Sequence, residues 1–421
     1  MTEFLAQFIN GLFYFEFYYP LFMAYLWIIG SVYYYFHWER DPHGKISQPP
    51  VLESYPGVSF IVPCYNEGGN ITETVEFLSR HNYPEFEIIV INDGSTDDSA
   101  AILRDLSGRF SMLRVVELKR NQGKAMALRM GALVATYEYL FCIDGDALVD
   151  ENAAAWMMRH FIDGPRVGAV TGNPRIRTRS TLLGKIQVGE FSSIVGAIKR
   201  AQRIYGRVFT VSGVVTAFRK TALHKVGYWN LDMVTEDIDI SWKLQLNHWD
   251  VRFEPNALCW ILTPETLGGL WRQRLRWAQG GAEVLLRYAR DLASWRKRRM
   301  WMVYLEFLTS VVWSYFMLVI IILWFTGLFI QLPPALTVPS LLTGWNGVIL
   351  GITCLAQFAV SLVIDARFER GMGRIYYWMI WYPVAYWVLN VFTTAVAVPR
   401  AILKKKGTRA IWVSPDRGLR P

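Results

Sequence analysis

The sequence is poor in charge and in cysteine. Of its 421 residues only 19% are Asp, Glu, Lys or Arg, against 52% apolar. That balance excludes a disordered tail and an ordinary soluble enzyme, and points to a membrane protein carrying a soluble part. The four cysteines, Cys64, Cys142, Cys259 and Cys354, show no CxxC or metal-like spacing. Neither a zinc site nor a disulfide framework is indicated. No GxGxxG follows the first predicted strand, and no P-loop pattern occurs anywhere. A dinucleotide oxidoreductase and a P-loop ATPase therefore lose support. The formal charge of +9 does not call for nucleic acid. In a membrane protein, basic residues mark flanks and anionic lipid surfaces.

What is present begins with four uncharged apolar runs: Phe17–Phe36, Phe307–Ile330, Trp345–Ile364 and Tyr376–Val398. Each is long enough to cross a hydrocarbon core of about 30 Å. The first is no cleavable signal peptide, because residues 1–16 carry no Lys or Arg and no small-residue cleavage site follows. Arg296-Lys297-Arg298-Arg299 stands before the second run, and Arg367, Arg370 and Arg374 follow the third. The positive-inside rule then places the large polar region in the cytoplasm and the N-terminus outside. One conflict stays open. Four full crossings put residues 399–421 outside, yet that tail is strongly basic. Either Tyr376–Val398, with Pro383 and Asn390, is re-entrant, or the rule fails here.

From Gly57 short β-branched runs (Val58–Val62, Glu87–Ile91, Leu113–Leu118, Tyr139–Ile143) alternate with predicted helices at 69–81, 95–109 and 123–136. This is the pattern of a doubly wound α/β sheet, which binds ligands beyond the carboxyl ends of its strands. Polar residues stand at those ends: Tyr65 and Glu67 after the first strand, Asp93 after the second, Asp144-Gly145-Asp146 after the fourth. Two carboxylates alternating across one residue suit Mg²⁺ or Mn²⁺ shared with a diphosphate, although Asp-Gly-Asp is also an ordinary turn. Asp93 can accept from a nucleoside or simply cap a helix. Lys124, opening the third helix, can meet phosphate or be a surface lysine. Thr235-Glu236-Asp237 places adjacent carboxylates at the start of a predicted helix, Ile238–Leu246, where one can be a general base or a cap.

The stretch Thr263–Trp295 reads as two amphipathic helices. Thr263 is the expected N-cap and Pro264 the first helical residue. Leu267, Leu270, Trp271, Leu275 and Ala278 form an apolar stripe. Gln273, Arg276 and Trp277 share another face, where amide, guanidinium and indole suit a diphosphate beside a sugar ring. Gly280-Gly281 is expected to interrupt the helix. A second helix then sets Leu285, Tyr288, Ala289 and Leu292 against Arg287 and Arg290, as at a membrane surface.

Together Asp93, Asp144-Gly145-Asp146, Thr235-Glu236-Asp237 and Gln273-Arg274-Leu275-Arg276-Trp277 resemble the D, DxD, TED and QxxRW set of processive family-2 glycosyltransferases. Val167–Lys185, Val211–Arg219, Glu236–Leu246 and the tail Trp412–Gly418 look like the poly-N-acetylglucosamine branch of that family. Some relatives have a further leading membrane segment, whereas one full span is expected here, and there is no room for a PilZ domain. The resemblance implies a GT-A-like cytoplasmic domain inserted between transmembrane helices of a bacterial inner membrane protein, with amphipathic interfacial helices. The expected divisions are 1–38 (membrane), 52–262 (catalytic), 263–300 (interfacial), 301–398 (membrane) and 399–421 (basic tail).

The same resemblance implies polymerisation of UDP-N-acetylglucosamine into a β-1,6-linked chain. Asp237 would be the base, beside Glu236. Asp93 would contact uridine, and Asp144 and Asp146 would hold UDP and the metal. Gln273, Arg274, Arg276 and Trp277 would bind diphosphate and acceptor. Tyr65, Glu67 and Lys124 would line the nucleotide pocket, with Ser212 and Gly213 beside the acceptor. Implied partners are the growing polysaccharide, the bilayer, a small membrane subunit and cyclic di-GMP. The alternatives are another β-glycan synthase, a transferase adding one sugar to a lipid carrier, and a non-enzymatic transport or sensing protein.

Overall fold

Eight strands form one mixed sheet in the order β3-β2-β1-β4-β7-β6-β8-β5. They are β1 (Val58–Cys64), β2 (Phe86–Asn92), β3 (Leu113–Glu117), β4 (Tyr139–Ile143), β5 (Leu148–Val149), β6 (Val167–Ile176), β7 (Val215–Arg219) and β8 (Asp250–Ile261). The computed structural model describes residues 2–40, 48–341, 344–405 and 407–411. The Trp412–Gly418 stretch lies outside the described residues.

The first four strands are parallel and run as expected, with Val58 level with Phe86 and Tyr139. Every residue of β1 is buried, because helices cover both faces of a parallel sheet. Alternation assigns the two cores: Phe60, Val62, Ile88 and Val90 join one, Ile61, Ile89 and Ile91 the other. In-register pairing brings the carboxyl ends of β1, β2 and β4 side by side. Strand β7 runs antiparallel to β4, with Val215 opposite Ile143, so its leading turn, Ser212-Gly213, reaches the same edge.

Four helices are long and apolar enough to cross a membrane: Gln7–Glu39, Trp295–Gly327, Trp345–Asp365 and Ala385–Leu403. The fourth predicted run is broken. Met372–Trp378 is a short helix, a 3₁₀ turn follows, and a new helix spans Tyr382–Leu403. Both ends of that last helix meet the sheet-bearing domain. Tyr382 belongs to an apolar cluster on which Ile186 packs, and just past the other end Lys404 Nζ pairs with Glu283 at 2.9 Å and donates to the Asp232 carbonyl at 2.5 Å. Lys404 and Ala410 therefore lie against the sheet-bearing domain.

Residues 263–300 correct three expectations. The helix begins at Leu267, capped by Thr266, whose Oγ1 accepts from Gly269 N at 3.1 Å. Thr263 and Pro264 instead continue away from β8. The Thr263 hydroxyl meets Thr178 Oγ1 at 3.0 Å, and the Pro264 carbonyl accepts from Gln187 Nε2 at 2.6 Å. The glycine pair does not interrupt the helix, which runs unbroken over Leu267–Leu292. Gly280 and Gly281 serve close approach. A Cβ at Gly280 would fall 1.9 Å from Thr235 Oγ1, and one at Gly281 2.4 Å from the Phe307 ring. Two stripe residues, Leu267 and Ala289, are exposed, because the buried face starts one turn later and follows Leu285, Tyr288 and Leu292.

Gly280→Ala is accordingly expected to cost about 1–3 kcal/mol through overpacking and to lower the transfer rate. Gly268→Ala, whose Cβ would meet only the Arg272 side chain at 3.9 Å, is the silent control. Equal turnover in the two variants would contradict the packing argument.

Candidate active site

Asp144 leaves the end of β4 and enters a tight turn, closed by Ala147 N donating to its carbonyl at 3.1 Å. The Gly145 carbonyl accepts from Thr74 Oγ1 at 2.9 Å. Both aspartates of the turn line one cavity of about 810 Å³. Lys124, the first residue of its helix, reaches across to Asp144 Oδ1 at 2.5 Å, Glu236 Oε1 at 3.3 Å and the Gly213 carbonyl at 3.1 Å. Burial works against the lysine's charge, but Asp144 and Glu236 outweigh it and hold its pKa above the ordinary lysine range. Burial raises the Asp144 pKa; Lys124 opposes that shift and Asp146 adds to it.

Thr235 is the N-cap residue of the Glu236–Leu246 helix. Asp237 Oδ1 accepts from Ile238 N at 2.9 Å. Burial and the neighbouring Glu236 push the Asp237 pKa up to about 6, with Lys124 opposing. A carboxylate so placed is a better proton acceptor than a free aspartate at neutral pH. Gly213 packs on it, since a Cβ there would lie 3.2 Å from Asp237 Oδ2.

Gln273, Arg276 and Trp277 line the same cavity from the Leu267–Leu292 helix. Gln273 Oε1 is buried without a protein partner among the described residues. Arg274 lines it too, but its guanidinium pairs with Glu190 at 2.7 Å and stacks 4.3 Å from the Trp277 ring centre. Its visible work is to hold the indole in place.

All the predicted site residues line this cavity except Tyr65 and Asp93. Asp93 is buried at the end of β2 and accepts from Gln122 N at 2.9 Å and Gly123 N at 2.8 Å. These bonds shape the turn that launches Lys124. Sequence reasoning missed the closing wall. Arg409 donates to Gln122 Oε1 at 3.1 Å, Ala410 N donates to the Leu231 carbonyl at 3.0 Å, and Lys404, Arg409, Ala410 and Ile411 line the cavity. A basic tail reads only as a membrane flank, so nothing in it signalled a pocket. Lys199, on the Ile198–Ile204 helix, lines the cavity and was missed as well.

The cavity continues past Trp277 between the long apolar helices, where Tyr19, Glu306, Trp313, Gln357 and Asn390 line it. A GT-A-like sheet whose acidic edge opens onto membrane-length helices defines a membrane-embedded glycosyltransferase. The family described as "Glycosyltransferase like family 2" matches residues 56–280, and the chain belongs to it. It is 42% identical over 408 residues to a poly-beta-1,6-N-acetyl-D-glucosamine synthase of Staphylococcus epidermidis, covering 95% of this chain and 97% of that one. It is 41% identical over 417 residues to a protein of the same name from Staphylococcus aureus, covering 98% and 99%. In fold it is similar to a mannosyltransferase from Pyrobaculum calidifontis solved with GDP-Man and Mn²⁺. The TM-score is 0.62 at 19% identity, over 96% of this chain and 100% of that one.

Proposed function

We propose that this protein polymerises N-acetylglucosamine from UDP-N-acetylglucosamine into a β-1,6-linked polysaccharide and feeds the product between its membrane helices. The observation that carries this is the single cavity joining the Asp144–Asp146 edge to the apolar helices. The names of the staphylococcal relatives support the sugar and the linkage. The basic flanks support a cytoplasmic catalytic domain in the bacterial inner membrane. A small membrane subunit completing the conduit belongs to the same reading, since four long helices form a thin wall. Control by cyclic di-GMP rests on the resemblance alone.

The reaction is an inverting single displacement. The acceptor 6-hydroxyl attacks C1 of the donor sugar from the face opposite UDP. Its proton passes to Asp237 as the C1–O bond to UDP breaks. Lys124 and Arg276 stand where negative charge grows on the leaving diphosphate, and such preorganised charge is the largest single contribution in many enzymes. Trp277 offers its ring to the apolar face of the acceptor sugar. Glu67 borders the donor side. Asp93, through the Gln122–Gly123 backbone, shapes the floor on which the nucleoside rests, and Tyr65 stands beside that floor.

Asp144 and Asp146 fit a divalent cation. They are paired carboxylates, and the pKa of Asp144 is already raised by burial and by its neighbour's charge. Among the described residues no cluster of three or more His, Cys, Asp or Glu forms a ready cage. That favours Mg²⁺ or Mn²⁺, which take one or two carboxylates and complete their shell with phosphate and water. The ion would neutralise diphosphate charge. Chelation is expected to stop UDP release in purified membranes and added Mg²⁺ or Mn²⁺ to restore it. Full turnover in chelator would refute the metal assignment.

Synthesis from labelled sugar nucleotide in proteoliposomes, followed by digestion with a β-1,6-N-acetylglucosaminidase, tests the function. One sugar per lipid, or an undigested polymer, would overturn it.

A further inference from the structure

Two lysines flank the acidic centre, and the mechanism above uses one. Lys124 is saturated by Asp144, Glu236 and the Gly213 carbonyl. Lys199, on the Ile198–Ile204 helix, is 5% exposed and lines the same cavity from the other side. Its Nζ donates to Thr171 Oγ1 at 3.2 Å and lies 5.9 Å from the Phe253 ring centre. Thr171 Oγ1 also accepts from Ser212 N at 2.7 Å, so Lys199 braces the turn that packs on Asp237. Among the described residues no carboxylate ion-pairs with it, and two of its three N–H donors have no protein partner. A buried ammonium with spare donors is costly unless something else satisfies it.

Its position says what that partner is. Gln202, one turn on, donates to Glu306 of the second membrane-length helix at 3.2 Å. Lys199 thus stands between the base and the membrane end of the cavity, where the acceptor rather than the nucleotide belongs. We propose that Lys199 is an acceptor-binding residue, donating hydrogen bonds to oxygens of the terminal acceptor sugar and orienting its primary hydroxyl toward Asp237. This rests on the polymerase reading above. The other charged groups near it are committed elsewhere: Arg200 to Glu39 and Asp365, Arg203 to Asp250, Glu254 to His160. Burial lowers the Lys199 pKa to about 7, with Asp237 opposing, so its charge is present below that pH and lost above it.

The test uses the full-length protein in proteoliposomes. It measures extension of a short β-1,6-linked N-acetylglucosamine oligosaccharide, and in parallel UDP release to water without acceptor. Lys199→Met is expected to raise the acceptor KM about 10- to 150-fold, the worth of a charged hydrogen bond. Donor KM and UDP affinity by titration should be unchanged, and an unchanged melting curve in detergent certifies folding. The alkaline limb of the wild-type pH profile, near 7, should disappear. Lys199→Arg should recover most of the acceptor affinity and move that limb upward. An unchanged acceptor KM in Lys199→Met, or an equal rise in donor KM, overturns the assignment while leaving the polymerase reading intact. A wild-type protein that releases UDP but never extends the oligosaccharide overturns the polymerase reading, and the role of Lys199 falls with it.

Discussion

Asp237→Asn is expected to cut polymer synthesis by about 100- to 10,000-fold, the usual contribution of a positioned general base. The amide keeps the side chain's shape and its contact with Gly213, so UDP should still bind. The wild-type rate should fall as pH drops through about 6, because the carboxyl must be unprotonated to act and burial with Glu236 has raised its pKa to that value. The variant's residual rate should lack this acid limb. Incorporation of labelled sugar across pH 5 to 8, with a parallel UDP titration, reads both outcomes. Normal polymerisation by the asparagine variant would remove Asp237 from its role and leave Glu236 as the remaining candidate.

The second large effect lies away from the chemistry. Arg200 is fully buried, with Nε and Nη2 on the Glu39 carboxylate at 2.6 and 3.0 Å and Nη1 3.0 Å from Asp365. Arg367 also binds Glu39, at 2.7 Å, and Arg175 binds Asp365 at 2.6 Å. The cluster ties the end of the first apolar helix, the end of the third and strand β6 into one knot. Arg200→Met would strand two buried carboxylates with too little positive charge. Breaking one partner of such a pair costs about 3–5 kcal/mol. The apparent melting temperature in detergent should drop on the order of 10 °C. A wild-type melting curve would show that the knot contributes nothing to stability.

How far the sequence could be read depended on the range of the signal. The first four strands were legible because they are short, largely apolar runs, buried through most of β1, β2 and β4, and each ends on its own polar residues. The other four strands were not. Strand β6 carries Gly168, Gly172 and Pro174, and β8 carries Pro255 and Asn256; breakers inside a strand hide it until a partner supplies the ladder. Most of the site was legible because its side chains sit in short motifs. Lys199 was not, since one lysine among the arginines of the Ile198–Ile204 helix carries no pattern and only burial against Thr171 marks it. Gly280-Gly281 misled for a related reason. Local propensity says glycine weakens a helix, but tertiary contact with Thr235 and Phe307 decides what these two are for.

That notch at Gly280 has a mechanical outcome. The rod lying along the last apolar helix and the threonine beside the base are in gear, with no side chain between them to absorb play. Forces that act on lipid-embedded rods, such as bilayer thickness and lateral pressure, would reach the proton acceptor directly. Turnover in thin-bilayer and thick-bilayer liposomes should therefore differ without any dedicated sensor module.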